Sequence, residues 1–369
     1  MTTDSRKVVP GCVFVALKGE HFDGNDFVEQ ARRDGAEYII SGENALAELQ
    51  DLARAWRREL GLPILGITGT NGKTTTKELC AAVLSTKYKL YYTQGNLNNQ
   101  LGVPLTLLNI TRAHEMAIVE MGASHPGDIK ELVEIAEPNF GLITNVGKAH
   151  LQGFGSFEGV MRTKAELYDF LRAHNGFCFR NMDNPYLAQM AGDLKTVEYH
   201  TGTMPSDTHL VGGYNAENVS AAICVGRYFG VSEVDALAAI RAYIPSNNRS
   251  QLMQTEKNTV VVDAYNANPT SMQAAINAFK GDCYILGAMR ELGEYSHLEH
   301  QNIVNMLLER KAEKVLLVGE EYKKTTAPYP VFENVEALCE YLQREPLSGY
   351  TILLKGSRSN QLEKVIPLL

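Results

Sequence analysis

Ile64-Leu-Gly-Ile-Thr-Gly-Thr-Asn-Gly-Lys-Thr-Thr-Thr-Lys-Glu78 is the stretch on which the fold turns. A short apolar run ends at Thr68, glycines stand at 66, 69 and 72, and Lys73 leads a run of hydroxyl residues into an amphipathic segment. Strand, Gly-rich turn and helix start, in that order, let backbone N–H groups and a helix N-terminus hold phosphate oxygens. Gly69, Thr70, Asn71, Gly72 and Thr75 form the cradle, Lys73 is placed to neutralise β- and γ-phosphates, and Thr74 to offer its hydroxyl to Mg²⁺. The template G-x-x-x-x-G-K-[ST] is missed by one place, because Ile67 occupies the position five before Gly72. A loop of this kind implies a bound nucleoside triphosphate and leaves the reaction open.

Outward from the loop, apolar runs alternate with longer amphipathic stretches, the pattern of parallel α/β units. Met116-Ala-Ile-Val-Glu120, Gly141-Leu-Ile-Thr144, Thr259-Val-Val-Val-Asp263, Cys283-Tyr-Ile-Leu-Gly287, Lys314-Val-Leu-Leu-Val-Gly319 and Thr351-Ile-Leu-Leu-Lys355 each read as a buried strand with a polar residue or Gly at its end. In open α/β sheets ligands bind beyond the carboxyl ends of the strands, so Glu120 and Asp263 are placed for chemistry. The spacing predicts helices over 26–34, 45–60, 157–171 and 232–243, and strands within 11–19 and 36–40. Residues 199–213, rich in Thr, Gly, Pro and Ser, read as a loop. Turn signals at 61–63 and 244–248 divide the chain into three domains: 1–62, 63–245 and 246–369.

At 369 residues the chain can bury several cores, and 44% hydrophobic with 21% charged residues is ordinary globular usage. The formal charge of −8 gives no broad attraction to nucleic acid or an anionic membrane. Six dispersed cysteines lack C-x-x-C or zinc-like spacing and read as reduced core thiols. No segment approaches the ~20 apolar residues of a membrane span and no signal-peptide run opens the chain, so a cytoplasmic location is expected.

His150, in Thr144-Asn-Val-Gly-Lys-Ala-His150, reads on its own as a structural histidine, and Lys164 as a helix-surface lysine paired with Glu158 or Glu166. Together with the loop and Glu120 they make a recognisable set, which resembles the Mur ligase family, a family that also includes folylpolyglutamate synthase and cyanophycin synthetase. Four longer motifs look like the branch that adds D-alanyl-D-alanine to UDP-N-acetylmuramoyl-tripeptide: Gly95-Asn-Leu-Asn-Asn-Gln-Leu-Gly-Val-Pro-Leu-Thr-Leu-Leu108, His150-Leu-Gln-Gly-Phe-Gly-Ser156, Asp263-Ala-Tyr-Asn-Ala-Asn-Pro-Thr-Ser-Met272 and Lys355-Gly-Ser-Arg358.

The resemblance implies a small N-terminal α/β domain for the UDP-sugar, a central mostly parallel domain for ATP, and a C-terminal Rossmann-like domain. It implies two Mg²⁺ sites, one on Thr74 and Glu120 and one on His150 with a carbamylated Lys164. It sends Arg249 to the phosphates, Asp263 to the ribose, and Asn215 and Asn218 to the neighbourhood of the adenine. Asn96, Asn98, Tyr265, Asn266, Asn268, Lys355, Ser357 and Arg358 are implied for the tripeptide end, the dipeptide and the intermediate, with Asn266 counted beside Lys73, Lys164, His150 and Arg249 in catalysis. Ser5, Arg6 and Lys18 are implied around the UDP-sugar, and a monomer is expected.

Departures from the family pattern leave two further readings open. The chain starts almost on Thr3-Asp-Ser-Arg6, so the uridine site is expected to be incomplete; 199–213 is short; Ala288 stands where the family commonly has Asp, and Asn248 where it has Gly. One alternative is a nucleotide-binding module that has lost ligation, the other a ligase for a different amine.

Overall fold

The computed structural model describes residues 1–19, 22–245 and 249–369. Residue 20 of the expected UDP-sugar segment and 246–248 of the expected second boundary, Asn248 included, lie outside the described residues. The first unit is slight: β1 (Val13–Val15) pairs in parallel with β2 (Tyr38–Ile40), and α1 (Val28–Arg33) follows a 3-10 turn, Gly24–Phe27. The expected helix over 26–34 thus starts later, because its first residues form the tighter turn, capped by Asp23. Phe14, Ala16 and Ala31 are the buried core of this unit.

Helix α2 (Ala45–Leu60) turns Ala45, Leu49, Ala53 and Arg57 inward at the i, i+4 spacing of one helical face. That face packs onto the central unit: Ala53 joins its core, Trp56 Nε1 donates to Ile110 O at 2.8 Å, and the Arg57 guanidinium donates to the Ala136 and Glu137 carbonyls. Gly61, in the left-handed region at φ 62°, ends the helix.

The central unit comprises β3 (Ile64–Thr68), α3 (Lys73–Leu84), β4 (Leu90–Tyr92), α4 (Gly102–Leu108), β5 (Met116–Glu120), α5 (Asp128–Ala136), β6 (Phe140–Ile143), α6 (Leu151–Phe154), α7 (Phe157–Ala173), β7 (Phe177–Asn181), α8 (Pro185–Ala191), β8 (Thr196–Tyr199), α9 (Asn215–Tyr228) and α10 (Glu233–Ala242). Its six strands are parallel, in the order β4-β5-β3-β6-β7-β8. One face is covered by α2, α4, α5, α7 and α8, the other by α3, α9 and α10. Burial on both faces explains why the strands read as unbroken apolar runs. Residues 200–213 are coil, apart from a bridge from Leu210 to Gln251.

The C-terminal unit comprises β9 (Gln251–Gln254), β10 (Thr259–Asp263), α11 (Pro269–Ala278), β11 (Cys283–Gly287), α12 (Ser296–Glu309), β12 (Lys314–Val318), α13 (Glu320–Lys323), β13 (Val331–Phe332), α14 (Val335–Arg344) and β14 (Thr351–Lys355). Its order is β13-β12-β11-β14-β10-β9, parallel except that β9 runs against β10. Strand β9 has polar ends and is half-exposed along an edge, with Leu252 turned to solvent, which is why it escapes an apolar pattern. The six cysteines are free, and no described helix is long and apolar enough to cross a membrane.

Candidate active site

In the loop between β3 and α3, Gly69 (φ 144°) passes so close to β6 that a Cβ there would lie 2.0 Å from Thr144 Oγ1, and Gly72 (φ 78°) would meet Asn218 Oδ1 at 2.5 Å. Only glycine fits these two approaches. The loop is then tied to the β6 end: Thr70 N donates to Asn145 O at 3.0 Å, Asn71 N to Asn145 Oδ1 at 3.0 Å, and Thr144 Oγ1 to Asn71 O at 2.6 Å. Asn145 was not singled out in the sequence, where it is one residue of a strand-end motif; its role is visible only once β6 lies beside β3. Lys73 Nζ folds back onto the Gly69 and Thr70 carbonyls at 2.8 and 3.0 Å. Burial pushes its pKa down to about 8, with Glu120 opposing the shift and Arg249 adding to it.

Glu120, at the tip of β5, is 1% exposed. Its Oε1 accepts from Thr74 Oγ1 at 3.2 Å and from Asn98 Nδ2 at 2.8 Å, while Oε2 is buried with no hydrogen-bond partner. Lys77 Nζ, fully buried and without a hydrogen bond, lies 3.6 Å from it and 3.8 Å from Glu78 Oε1. Lys77, one turn beyond Lys73 on α3, is fully buried rather than on the helix surface, and nothing in the local sequence marks it.

A cleft of about 760 Å³ opens above the loop between the central and C-terminal units. Thr70, Asn71, Gly72, Lys73, Thr74, Thr75, Asn96, Asn98, Glu120, His150, Asn215, Asn218, Arg249, Asp263, Tyr265, Asn266 and Lys355 of the expected residues line it. Ser124, Asn184 and Glu217 at the start of α9 line it as well. Asn218 accepts from Thr76 Oγ1 and donates to Asn215, whose amide donates to Val211 O, so Asn218 bolts α9 to α3 and Asn215 holds Asn218 in place. Arg249 lies 3.7 Å over the Tyr265 ring, and Arg358 is 5.4 Å from the same ring. Asp263 pairs with the buried Lys355.

Other expected residues are placed differently. Lys164 on α7 is 2% exposed, beneath the Phe154 ring rather than on the helix surface. Burial and then repulsion from Lys73 hold its pKa well below the lysine range. His150 pairs through Nδ1 with Glu291 of the C-terminal unit; burial lowers its pKa and Glu291 opposes that. Asn268 is withdrawn from the cleft wall: it caps α11 reciprocally with Ser271 and donates to Asn71 Oδ1 at 2.7 Å. Ser357 is buried behind Ala267. Ser5, Arg6 and Lys18 lie on the N-terminal unit, where Arg6 grips Asp4 through two nitrogens, and none of the three lines the cleft.

Thr74 Oγ1 and Glu120 form a hard oxygen pair suited to Mg²⁺, and the orphaned Oε2 is the kind of buried oxygen that a cation satisfies. Lys164 as an ammonium does not fit a metal; as a carbamate it supplies oxygens. Among the described residues no group of three His, Cys, Asp or Glu side chains is arranged to hold a metal.

The Mur ligase middle domain matches residues 67–201, the Mur ligase glutamate ligase domain 248–358, and the catalytic domain of the Mur ligase family 1–82. The UDP-N-acetylmuramoyl-tripeptide–D-alanyl-D-alanine ligase of Bacillus subtilis (strain 168) is 32% identical over 99% of this chain and 92% of its own length. The enzyme of that name from Escherichia coli (strain K12) is 32% identical over 100% and 93%. Among solved structures, MurF from Acinetobacter baumannii superposes with a TM-score of 0.88 at 28% identity, over 99% of this chain and 92% of that one. MurF ligase from Thermotoga maritima in complex with ADP gives 0.87 at 28%, over 100% and 96%. By family models along most of its length and by full-length relatives, the chain belongs to the Mur ligase family.

Proposed function

We propose that the protein is an ATP-dependent ligase that joins D-alanyl-D-alanine to the C-terminal carboxylate of UDP-N-acetylmuramoyl-tripeptide, in peptidoglycan precursor synthesis. The observation that carries this reading is the cleft itself: the phosphate loop on its floor, Lys73 and Arg249 along it, and a second domain closing over it.

A carboxylate oxygen of the tripeptide attacks the γ-phosphorus of ATP, the bond to ADP breaks, and an acyl phosphate forms. The dipeptide amine then adds to the acyl carbon, and the tetrahedral intermediate expels phosphate as the amine gives up a proton. Attack of one anion on another needs charge compensation and positioning more than covalent help. Lys73 and Arg249 supply fixed positive charge, and Tyr265 holds the Arg249 guanidinium plane against its ring. Thr74 and Glu120 would hold a Mg²⁺ on the triphosphate, which neutralises part of its charge.

Lys164 is carbamylated in this reading, and His150 with that carbamate would hold a second Mg²⁺. Support comes from the burial of Lys164 and its lowered pKa: carbamylation needs a neutral amine as nucleophile, and burial favours that form. Asn96, Asn98, Asn266 and Lys355 face the reacting groups, with Arg358, Ser357 and Asn268 shaping the wall behind them. Ser5, Arg6 and Lys18 hold the UDP-sugar at the far end. The division of labour at 1–62, 63–245 and 246–369 belongs to the same reading, with α2 as structural support for the central domain. A monomer acting in the cytoplasm completes it.

The test is phosphate release with ATP, UDP-N-acetylmuramoyl-tripeptide and D-Ala-D-Ala, omitting each in turn. Release that needs all three supports the reading. Nucleotide binding without dipeptide-dependent release rejects it, and dependence on another amine replaces the substrate.

A further inference from the structure

Five carboxylates line the cleft: Glu120, Asp128, Glu217, Asp263 and Glu291. Four are engaged. Glu120 accepts from Thr74 and Asn98, Asp128 from the Ser124 and His125 N–H groups at 2.8 Å each, Asp263 pairs with Lys355 and Glu291 with His150. Glu217, in the first turn of α9, has no hydrogen-bond or ion-pair partner among the described residues. In a cleft built to hold polyphosphate a half-buried, uncompensated carboxylate repels the ligand unless it faces a part that carries a donor.

Its position points to the base. Asn218, the next residue, touches the phosphate loop at Gly72, so Glu217 stands beside the loop in the same cleft. The amides of Asn215 and Asn218 are already engaged, with each other, with Thr76 of α3 and with Val211 O. Asp183 lies near enough to Glu217 to act on its charge, and the next residue, Asn184, lines the same cleft; its Oδ1 caps α8 by accepting from Tyr186 N at 3.2 Å, which leaves Nδ2 as a donor. A carboxylate acceptor beside an amide donor complements the adenine edge, which offers the 6-amino donor next to the N7 acceptor; a 6-oxopurine offers two acceptors there. Burial, followed by the nearby Asp183, raises the Glu217 pKa, a desolvation that an amino donor would offset.

We propose that Glu217 accepts a hydrogen bond from the 6-amino group of the ATP base, with Asn184 Nδ2 donating to the neighbouring ring nitrogen, and that Glu217 thereby selects adenine over 6-oxopurine nucleotides. The inference rests on the ATP reading above and adds the group that reads the base. Equilibrium binding of ATP and of inosine triphosphate to the full chain, without tripeptide, measures it, in the wild type, Glu217→Gln and Glu217→Ala. The wild type should bind ATP about tenfold or more tightly than inosine triphosphate, since the mismatched carbonyl leaves a carboxylate unpaired. In both variants that ratio should fall to within about threefold, because Gln can rotate to donate to a 6-carbonyl and Ala removes the repulsion. Melting temperatures and the affinity for inorganic tripolyphosphate report on the fold and the phosphate loop. A preference for ATP that is unchanged in both variants, or absent from the wild type, overturns the inference and leaves the ATP reading intact. A wild-type chain that binds neither nucleotide overturns both.

Discussion

At the scale of single residues, the pair Lys77 and Glu120 shows why the site is held as it is. Both are buried to within 1%, 3.6 Å apart, and neither of the facing atoms has a hydrogen bond. Removing one partner of such a pair leaves the other charge uncompensated, at a cost on the order of 3 kcal/mol. Lys77→Met should therefore destabilise the ligand-free central domain by about that amount, and adding Glu120→Gln should restore most of it, because the orphaned charge is then gone. Urea unfolding of the wild type, Lys77→Met, Glu120→Gln and the double variant checks this; strictly additive losses would contradict the coupling. Lys164→Ala should lose most ligase activity and regain part of it with added short carboxylates, which can occupy the place proposed for a carbamate; rates equal to wild type would reject the role. Lys73, Thr74 and Glu120 were legible in the sequence because a loop and a strand end fix them locally. Lys77, Asn145 and Glu291 were not, because each works on a partner brought from a different strand or domain.

At the scale of elements, β3, β5 and β6 of the central sheet and β10, β11, β12 and β14 of the C-terminal one were legible from apolar runs, and α2 from its 3.6-residue period; β4, β7, β8 and β13 were not, being short or interrupted by polar residues. The unit against which α2 packs was not legible: an amphipathic face states that something covers it, not what. The half-exposed edge strand β9 carries no period either. The loop after β11, which presents Glu291, is fixed by His300 on α12. Its Nδ1–H donates to Ser296 O at 2.6 Å and its Nε2 accepts from Met289 N at 3.0 Å, so the ring must be neutral to make both bonds. Burial lowers its pKa from the ordinary 6.5. A histidine lowered in the folded state binds its proton more readily when unfolded, so its contribution is whole above pH 6.5 and is lost as pH falls from there to its folded value. Across that window the C-terminal domain should lose up to about 1.4 kcal/mol per pH unit from this group. Thermal melts from pH 7.5 to 5 should show the loss in the wild type and a flatter profile in His300→Gln; parallel profiles would contradict it.

At the scale of the whole molecule, the C-terminal unit is docked over the cleft by contacts that sequence alone does not disclose. Lys148 Nζ reaches Glu299 Oε1 at 2.8 Å, Lys148 N donates to Thr270 Oγ1 at 3.0 Å, Gln152 N to Glu291 O at 3.2 Å, and Asn268 joins Asn71 in the phosphate loop. Glu299 is 1% exposed, so the lysine compensates a buried carboxylate from across the cleft. Lys148→Ala should shift the ligand-free protein toward an open arrangement by about tenfold or more, seen as a larger radius of gyration in solution scattering and reversed by the full set of ligands. Scattering curves that match wild type in every state would count against the latch. The claim that the docked domains make an amide through an acyl phosphate is tested most directly by labelling both oxygens of the tripeptide's terminal carboxylate with ¹⁸O. Turnover with ATP and D-Ala-D-Ala should place one ¹⁸O in the released phosphate and leave the other in the new amide; ligated product with unlabelled phosphate would contradict the account.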